Sequence, residues 1–121
     1  MSTLAKPAGG ARRGLDMWLA QRASAVYMAL FLAFFLACAL ASPGLDYPGW
    51  RALFLPLGMK VATLLFIAAL LAHAWIGLRE IFIDYLHCAR CTLLRLTLYF
   101  AVAAVYLACL VWAADILWSV Q

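Results

Sequence analysis

The sequence predicts an all-α integral membrane protein with three transmembrane helices, and three observations predict it. The chain is 69% hydrophobic and only 12% charged, whereas soluble domains run near 45–50% and about 25%. At 121 residues it is too short to hide that much apolar surface in a soluble core. Second, the runs Ala23–Ala41, Val61–Leu78 and Leu96–Ala114 contain no Asp, Glu, Lys or Arg. Each is long enough for one crossing, which takes about 20 helical residues. Their Ala, Leu and Phe content and unbroken length favour helices over barrel strands of about 10 alternating residues. Third, the basic residues fall unevenly on the two sides of these runs, as they do in membrane proteins of fixed orientation.

The elements follow in order. Residues 1–14, rich in Ala, Gly and Arg with Ser, Lys and Pro, are expected to be a cytoplasmic tail, and residues 15–121 a three-helix anchor domain. The first helix is expected over about 17–42. Its end, Ala39-Leu-Ala-Ser42, resembles a signal-peptidase site, but the apolar run exceeds the usual 7–15 residues and follows a long polar stretch. An uncleaved helix is therefore expected. The loop Ser42–Trp50 is turn-rich, with two Pro-Gly steps. The second helix is expected over about 52–86 and the third over about 91–118.

Orientation follows from lysine and arginine. Lys6, Arg12, Arg13, Arg22, Arg79, Arg90 and Arg95 lie on one side, against Arg51 and Lys60 on the other. The positive-inside rule then places the N-terminus and the second loop in the cytoplasm and the C-terminus in the periplasm. The net charge of +4 fits that bias, and no zinc-finger spacing or basic aromatic sheet motif points to nucleic acid. Cys38 and Cys109 fall inside spans and read as small apolar residues. Cys88 and Cys91 have CxxC spacing, but a structural zinc site needs four ligands. On the reducing side of the membrane, a free dithiol is expected.

The stretch Leu70–His87 (LLAHAWIGLREIFIDYLH) concentrates the chemistry. His73 lies well inside the second span, where an ionisable group is a functional hypothesis by default. Neutral imidazole binds haem iron, and such ligation resolves the problem of burial. The plainer reading is a histidine hydrogen-bonded to a Ser or Thr of a neighbouring helix. His87 would lie roughly 21 Å along the helix, too far to ligate the same iron, so a second ligand must come from another chain. From His73 to Asp84, eleven residues at about 100° each return to within about 20° of the same face, roughly 16 Å closer to the cytoplasm. Glu80 shares that face. Tyr85 reads either as an interfacial anchor or as part of a site. Arg22 reads as a snorkelling cation, or as a partner for an anion such as a haem propionate.

Two segments, Gly14–Phe31 (GLDMWLAQRASAVYMALF) and His73–Leu86 (HAWIGLREIFIDYL), resemble the D-type hydrophobic anchor subunits of proteobacterial succinate dehydrogenases, respiratory complex II. The resemblance covers all three helices; the HAWIG segment followed by Asp84-Tyr85 is its specific part. It implies three helices forming half of a heterodimeric bundle with a C-type membrane anchor subunit. The two subunits would share one haem b and carry an iron–sulfur subunit and a flavoprotein subunit on the cytoplasmic face of the bacterial inner membrane. The chain would thus serve electron transport from succinate to ubiquinone, with no activity alone. The resemblance implies His73 as axial ligand of the haem iron, Arg22 beside its propionates, and Tyr85 and Asp84 at the quinone site, the tyrosine bonding a quinone carbonyl. The family often has histidine before the first helix where this chain has Leu15-Asp16, so no propionate contact is carried to that position. Two other readings remain open: a haem-less anchor of a related dehydrogenase or fumarate reductase, and a small transporter subunit conducting protons along His73, Glu80 and Asp84.

Overall fold

A computed structural model of the chain describes residues 9–86 and 88–120. Among them there is no strand. Four α-helices run in order: α1 (Gly9–Ala41), α2 (Tyr47–Ala52), α3 (Leu57–Tyr85) and α4 (Thr92–Ser119), with a 3-10 turn at Ala89–Cys91 before the last. Three of them, taken over Gly14–Ala41, Leu57–Tyr85 and Thr92–Ser119, are long and apolar enough to cross a membrane. The all-α, three-span expectation is met.

Two boundaries differ from expectation, each for a local reason. α1 begins at Gly9, before the expected start near 17. Ala11, Arg12, Arg13 and Leu15 are good helix formers, and no proline follows Pro7 to interrupt them. The first eight residues of the expected tail lie outside the described residues. The expected second helix, 52–86, divides at residues 53–56. Leu53, Phe54 and Leu55 close tight turns onto the carbonyls of Trp50, Arg51 and Ala52 at 3.2, 3.1 and 3.3 Å. Pro56 then caps α3 with extended backbone, φ −63° and ψ 135°, since proline disfavours a helical residue before it and cannot continue a helix from within.

The principal packing is α1 on α3 and α3 on α4, so α3 is the central helix. Aromatic rings define both seams. Tyr27, Phe31 and Phe35, four residues apart, stack along one face of α1, and Phe31 crosses to Phe66 of α3 with centroids 5.0 Å apart. On the other seam Trp75 meets Tyr99 and Tyr106, and Phe82 meets Tyr99 at 5.3 Å. Phe31, Ala39, Ile76 and Leu117 are buried, and no described polar side chain is. Most apolar side chains therefore face outward, which suits a lipid or partner environment and no aqueous one.

Several polar groups within the spans find partners inside the bundle, as a bilayer favours. Tyr27 donates its hydroxyl to the Ala62 carbonyl at 2.8 Å, joining α1 to α3. Ser42, Thr63 and Thr97 donate back to the carbonyls of Cys38, Met59 and Leu93, four residues earlier. The end bearing α2 is closed by specific chemistry. Gly44, at φ +67°, turns the chain after α1. Asp46 caps α2 by accepting from the Gly49 N–H at 2.9 Å. A Cβ on Gly49 would lie 2.9 Å from that carboxylate and 3.3 Å from the Gly44 carbonyl. Lys60 donates to the Val120 carbonyl at 2.8 Å, tying the foot of α3 to the end of α4.

Candidate functional site

At the opposite end, where the basic residues gather, α1 and α3 leave a polar cleft between them. His73 sits midway along α3 and is half-buried, its ring turned toward α1. Its Nδ1 lies 3.2 Å from the Ser24 hydroxyl and 3.2 Å from the Gln21 carbonyl. The Ser24 hydroxyl itself donates to that carbonyl at 2.9 Å. Among the described residues, Nε2 has no protein partner, yet no buried side-chain nitrogen or oxygen is left unbonded, so Nε2 is not sealed in. His73 looks into a groove of about 250 Å³ shared with Trp18, Gln21, Arg22 and Ala25. A ring fixed at one nitrogen and open at the other is the arrangement of a metal-binding histidine.

Arg22 lines the same groove. It is exposed, thirteen residues into α1 rather than at its start, and its guanidinium stands 5.5 Å from the Trp18 ring centroid, one turn earlier. That cation–π contact holds the side chain over the groove and leaves its edge donors available to an anion. A second groove, about 300 Å³, continues from the first through the shared walls of Trp18 and Gln21. It adds Gly14, Met17, Arg79, Glu80 and Ile83, with the Arg79 guanidinium against the Met17 thioether.

Asp84 and Tyr85 lie elsewhere. They occupy the last turn of α3, outside both grooves, and Tyr85 is 83% exposed. α3 does run unbroken from His73 to Tyr85, so His73, Glu80 and Asp84 share a helical stripe as the spacing predicts. Two of the expected site residues, His73 and Arg22, are thus brought together; the other two are not joined to them within this chain. His87 lies outside the described residues. Among the described residues no three His, Cys, Asp or Glu side chains cluster as a metal cage would require.

One expectation is corrected here. Cys88 and Cys91, expected as a free dithiol, are joined as a disulfide, with Cα atoms 5.2 Å apart. The 3-10 turn supplies the proximity, since it brings residues three apart within the range a disulfide spans. The expectation rested on compartment and ignored that local geometry. Sequence reasoning expected a Ser or Thr of a neighbouring helix as the plainer partner for His73, but named neither Ser24 nor the Gln21 carbonyl. The signal was present: Ser24 and Tyr27 are the hydroxyl side chains of the first charge-free run, and a polar residue inside a span needs a partner.

Comparison with known proteins decides what kind of membrane protein carries this cleft. Residues 4–112 match the family model described as succinate dehydrogenase/fumarate reductase transmembrane subunit. The chain belongs to this family. It is 37% identical over 107 residues to the succinate dehydrogenase hydrophobic membrane anchor subunit of Coxiella burnetii, covering 88% of this chain and 90% of that one. Membership in the succinate dehydrogenase/fumarate reductase family makes it a multi-pass membrane anchor that works within a complex. A separate apolar crevice of about 410 Å³, lined by Trp50, Phe54, Ile67 and Leu117, lies at the α2 end, away from the polar cleft.

Proposed function

We propose that this chain is the membrane anchor subunit of a succinate:quinone oxidoreductase, sharing a haem b with a C-type partner subunit and contributing to the site of ubiquinone reduction. The observation that carries the reading is the state of His73: one ring nitrogen engaged by α1, the other open to a groove that also presents Arg22. These residues fit a haem. Imidazole Nε2 is a ligand atom for its iron, and an arginine held by an aromatic ring suits a propionate. When bound, the haem supplies a one-electron store and a bridge between the two anchor subunits. A second ligand would come from the partner subunit, since among the described residues the cleft offers one histidine.

Tyr85 and Asp84 act at the other part of the reading. An exposed tyrosine at the end of a membrane helix is placed to donate its hydroxyl to the carbonyl of a lipid-soluble quinone. Reduction of that quinone takes two electrons, delivered through the iron–sulfur subunit from the flavoprotein subunit, and two protons. Asp84, one residue earlier and exposed, keeps this edge polar and open to water, where protons enter. The basic bias puts this end in the cytoplasm and the α2 end in the periplasm, across the bacterial inner membrane. The ionisable groups then stand where quinone from the bilayer meets protons from water.

A second reading draws on the same contact. In a haem-less anchor, the hydrogen bond from His73 to Ser24 and Gln21 would be the histidine's whole role. Family membership favours either anchor over a proton-conducting transporter subunit. Purification of the tagged chain in mild detergent separates the readings. A b-type haem spectrum with large flavin-bearing and iron–sulfur polypeptides is expected. The same polypeptides without haem would leave the structural anchor, and neither, from an intact preparation, would refute the assignment.

A further inference from the structure

Three atoms form a closed triangle at the cleft: Ser24 Oγ, the Gln21 carbonyl oxygen and His73 Nδ1. The pairs are separated by 2.9 Å (Ser24 to Gln21), 3.2 Å (His73 to Ser24) and 3.2 Å (His73 to Gln21). A carbonyl only accepts, and a serine hydroxyl has one proton to give. If that proton goes to Gln21, Ser24 Oγ can only accept from the ring. If it went to the ring instead, an unprotonated Nδ1 would face the carbonyl lone pairs at 3.2 Å, and the bond to Gln21 would be lost. The arrangement that satisfies all three atoms has the hydrogen on Nδ1, shared between two acceptors.

We propose that Ser24, with the Gln21 carbonyl, is a positioning residue for His73: the pair fixes the Nδ1–H tautomer and aims the Nε2 lone pair into the groove. The proposal rests on the reading of His73 as a haem ligand and deepens it. The two acceptors come from adjacent turns of one rigid helix, so they set the ring's rotation as well as its tautomer. Accepting from Nδ1–H also makes the ligand nitrogen more electron-rich, which favours the ferric over the ferrous haem. The serine hydroxyl contributes one of the two acceptors, and it is the one a mutation can remove.

The test is made on the whole detergent-purified complex, reading the haem midpoint potential and the low-spin ferric signal in electron paramagnetic resonance. Ser24→Thr keeps the hydroxyl; Ser24→Val has nearly the same shape without it. We expect Ser24→Thr to match the unmodified complex. Ser24→Val should keep its haem with the ferric/ferrous equilibrium moved roughly threefold toward ferrous, a rise of about 30 mV at 59 mV per tenfold for one electron. Its ferric signal should broaden as the ring loses a fixed orientation. An unchanged potential and signal in Ser24→Val would overturn the proposal, and so would equal changes in both variants, which would mark a packing effect. His73→Ala in the same background separates the two levels. If it keeps normal haem, the ligand reading itself fails; if it loses haem while Ser24→Val is silent, only the positioning role fails.

Discussion

The two ends of this bundle are built from the same apolar alphabet but finished differently. At the α2 end, Phe35, Trp50 and Phe54 pack ring against ring with centroids 5.5 to 5.7 Å apart. Asp46, Gly49 and Lys60 each meet a partner within the chain. At the other end, between α1 and α3, His73 is satisfied at one nitrogen only, Arg22 lies over an exposed tryptophan, and Tyr85 projects from the last turn. At the first end these polar groups are satisfied by this chain alone. The second leaves an imidazole nitrogen, an arginine edge and a tyrosine hydroxyl, the groups on which the proposed haem and quinone reading rests. In a membrane, where an unmet polar group is costly, that asymmetry supports the proposed reading of the second end as the functional one.

Mutations on the two sides of this comparison should part company. Short of replacing His73 itself, the largest effect is expected from Tyr85→Phe. It should lower succinate:quinone turnover about tenfold, the loss of one hydrogen bond of about 1.4 kcal/mol, with succinate oxidation by a soluble dye unchanged. Equal losses in the two assays would count against a quinone contact. Arg22→Gln should come next, with haem lost severalfold faster from the detergent-solubilised complex and no change in subunit composition. Unchanged retention would make Arg22 a snorkelling cation.

Gly49→Ala probes the finished end. It should disrupt the cap made by Asp46, costing about 1 kcal/mol of anchor stability, seen as a few degrees in thermal disassembly, and leave the haem spectrum untouched. A spectral change there would break the division between the ends. The smallest effect concerns Cys88 and Cys91. In the isolated complex these should resist alkylation until a reductant is added, while turnover stays the same before and after; ready labelling without reductant would restore the free dithiol.

Much of this was legible in the sequence because it depended on composition and period. Three charge-free runs name three spans, and the eleven-residue step from His73 to Asp84 puts both on one stripe of a continuous α3. The break before α3 was missed although Pro56 announces it, because the apolar content on both sides outweighed one residue. A hydroxyl partner for His73 could be expected from the sequence, but its identity could not, for a different reason. Which hydroxyl on α1 meets a given turn of α3 depends on the offset between two helices, and no spacing within one segment encodes that offset. The Cys88–Cys91 bond turned on a short turn whose geometry the wider argument about compartment overlooked. The candidate site residues were named from chemistry and resemblance; their arrangement needed the fold.

The most direct test of the account is the reduced-minus-oxidised visible spectrum of the complex isolated through this chain, compared between the unmodified protein and His73→Ala. The account predicts a b-type haem signal in the first and its loss in the second, with the chain still inserted and the soluble subunits still attached. A normal haem signal in the His73→Ala complex would contradict it.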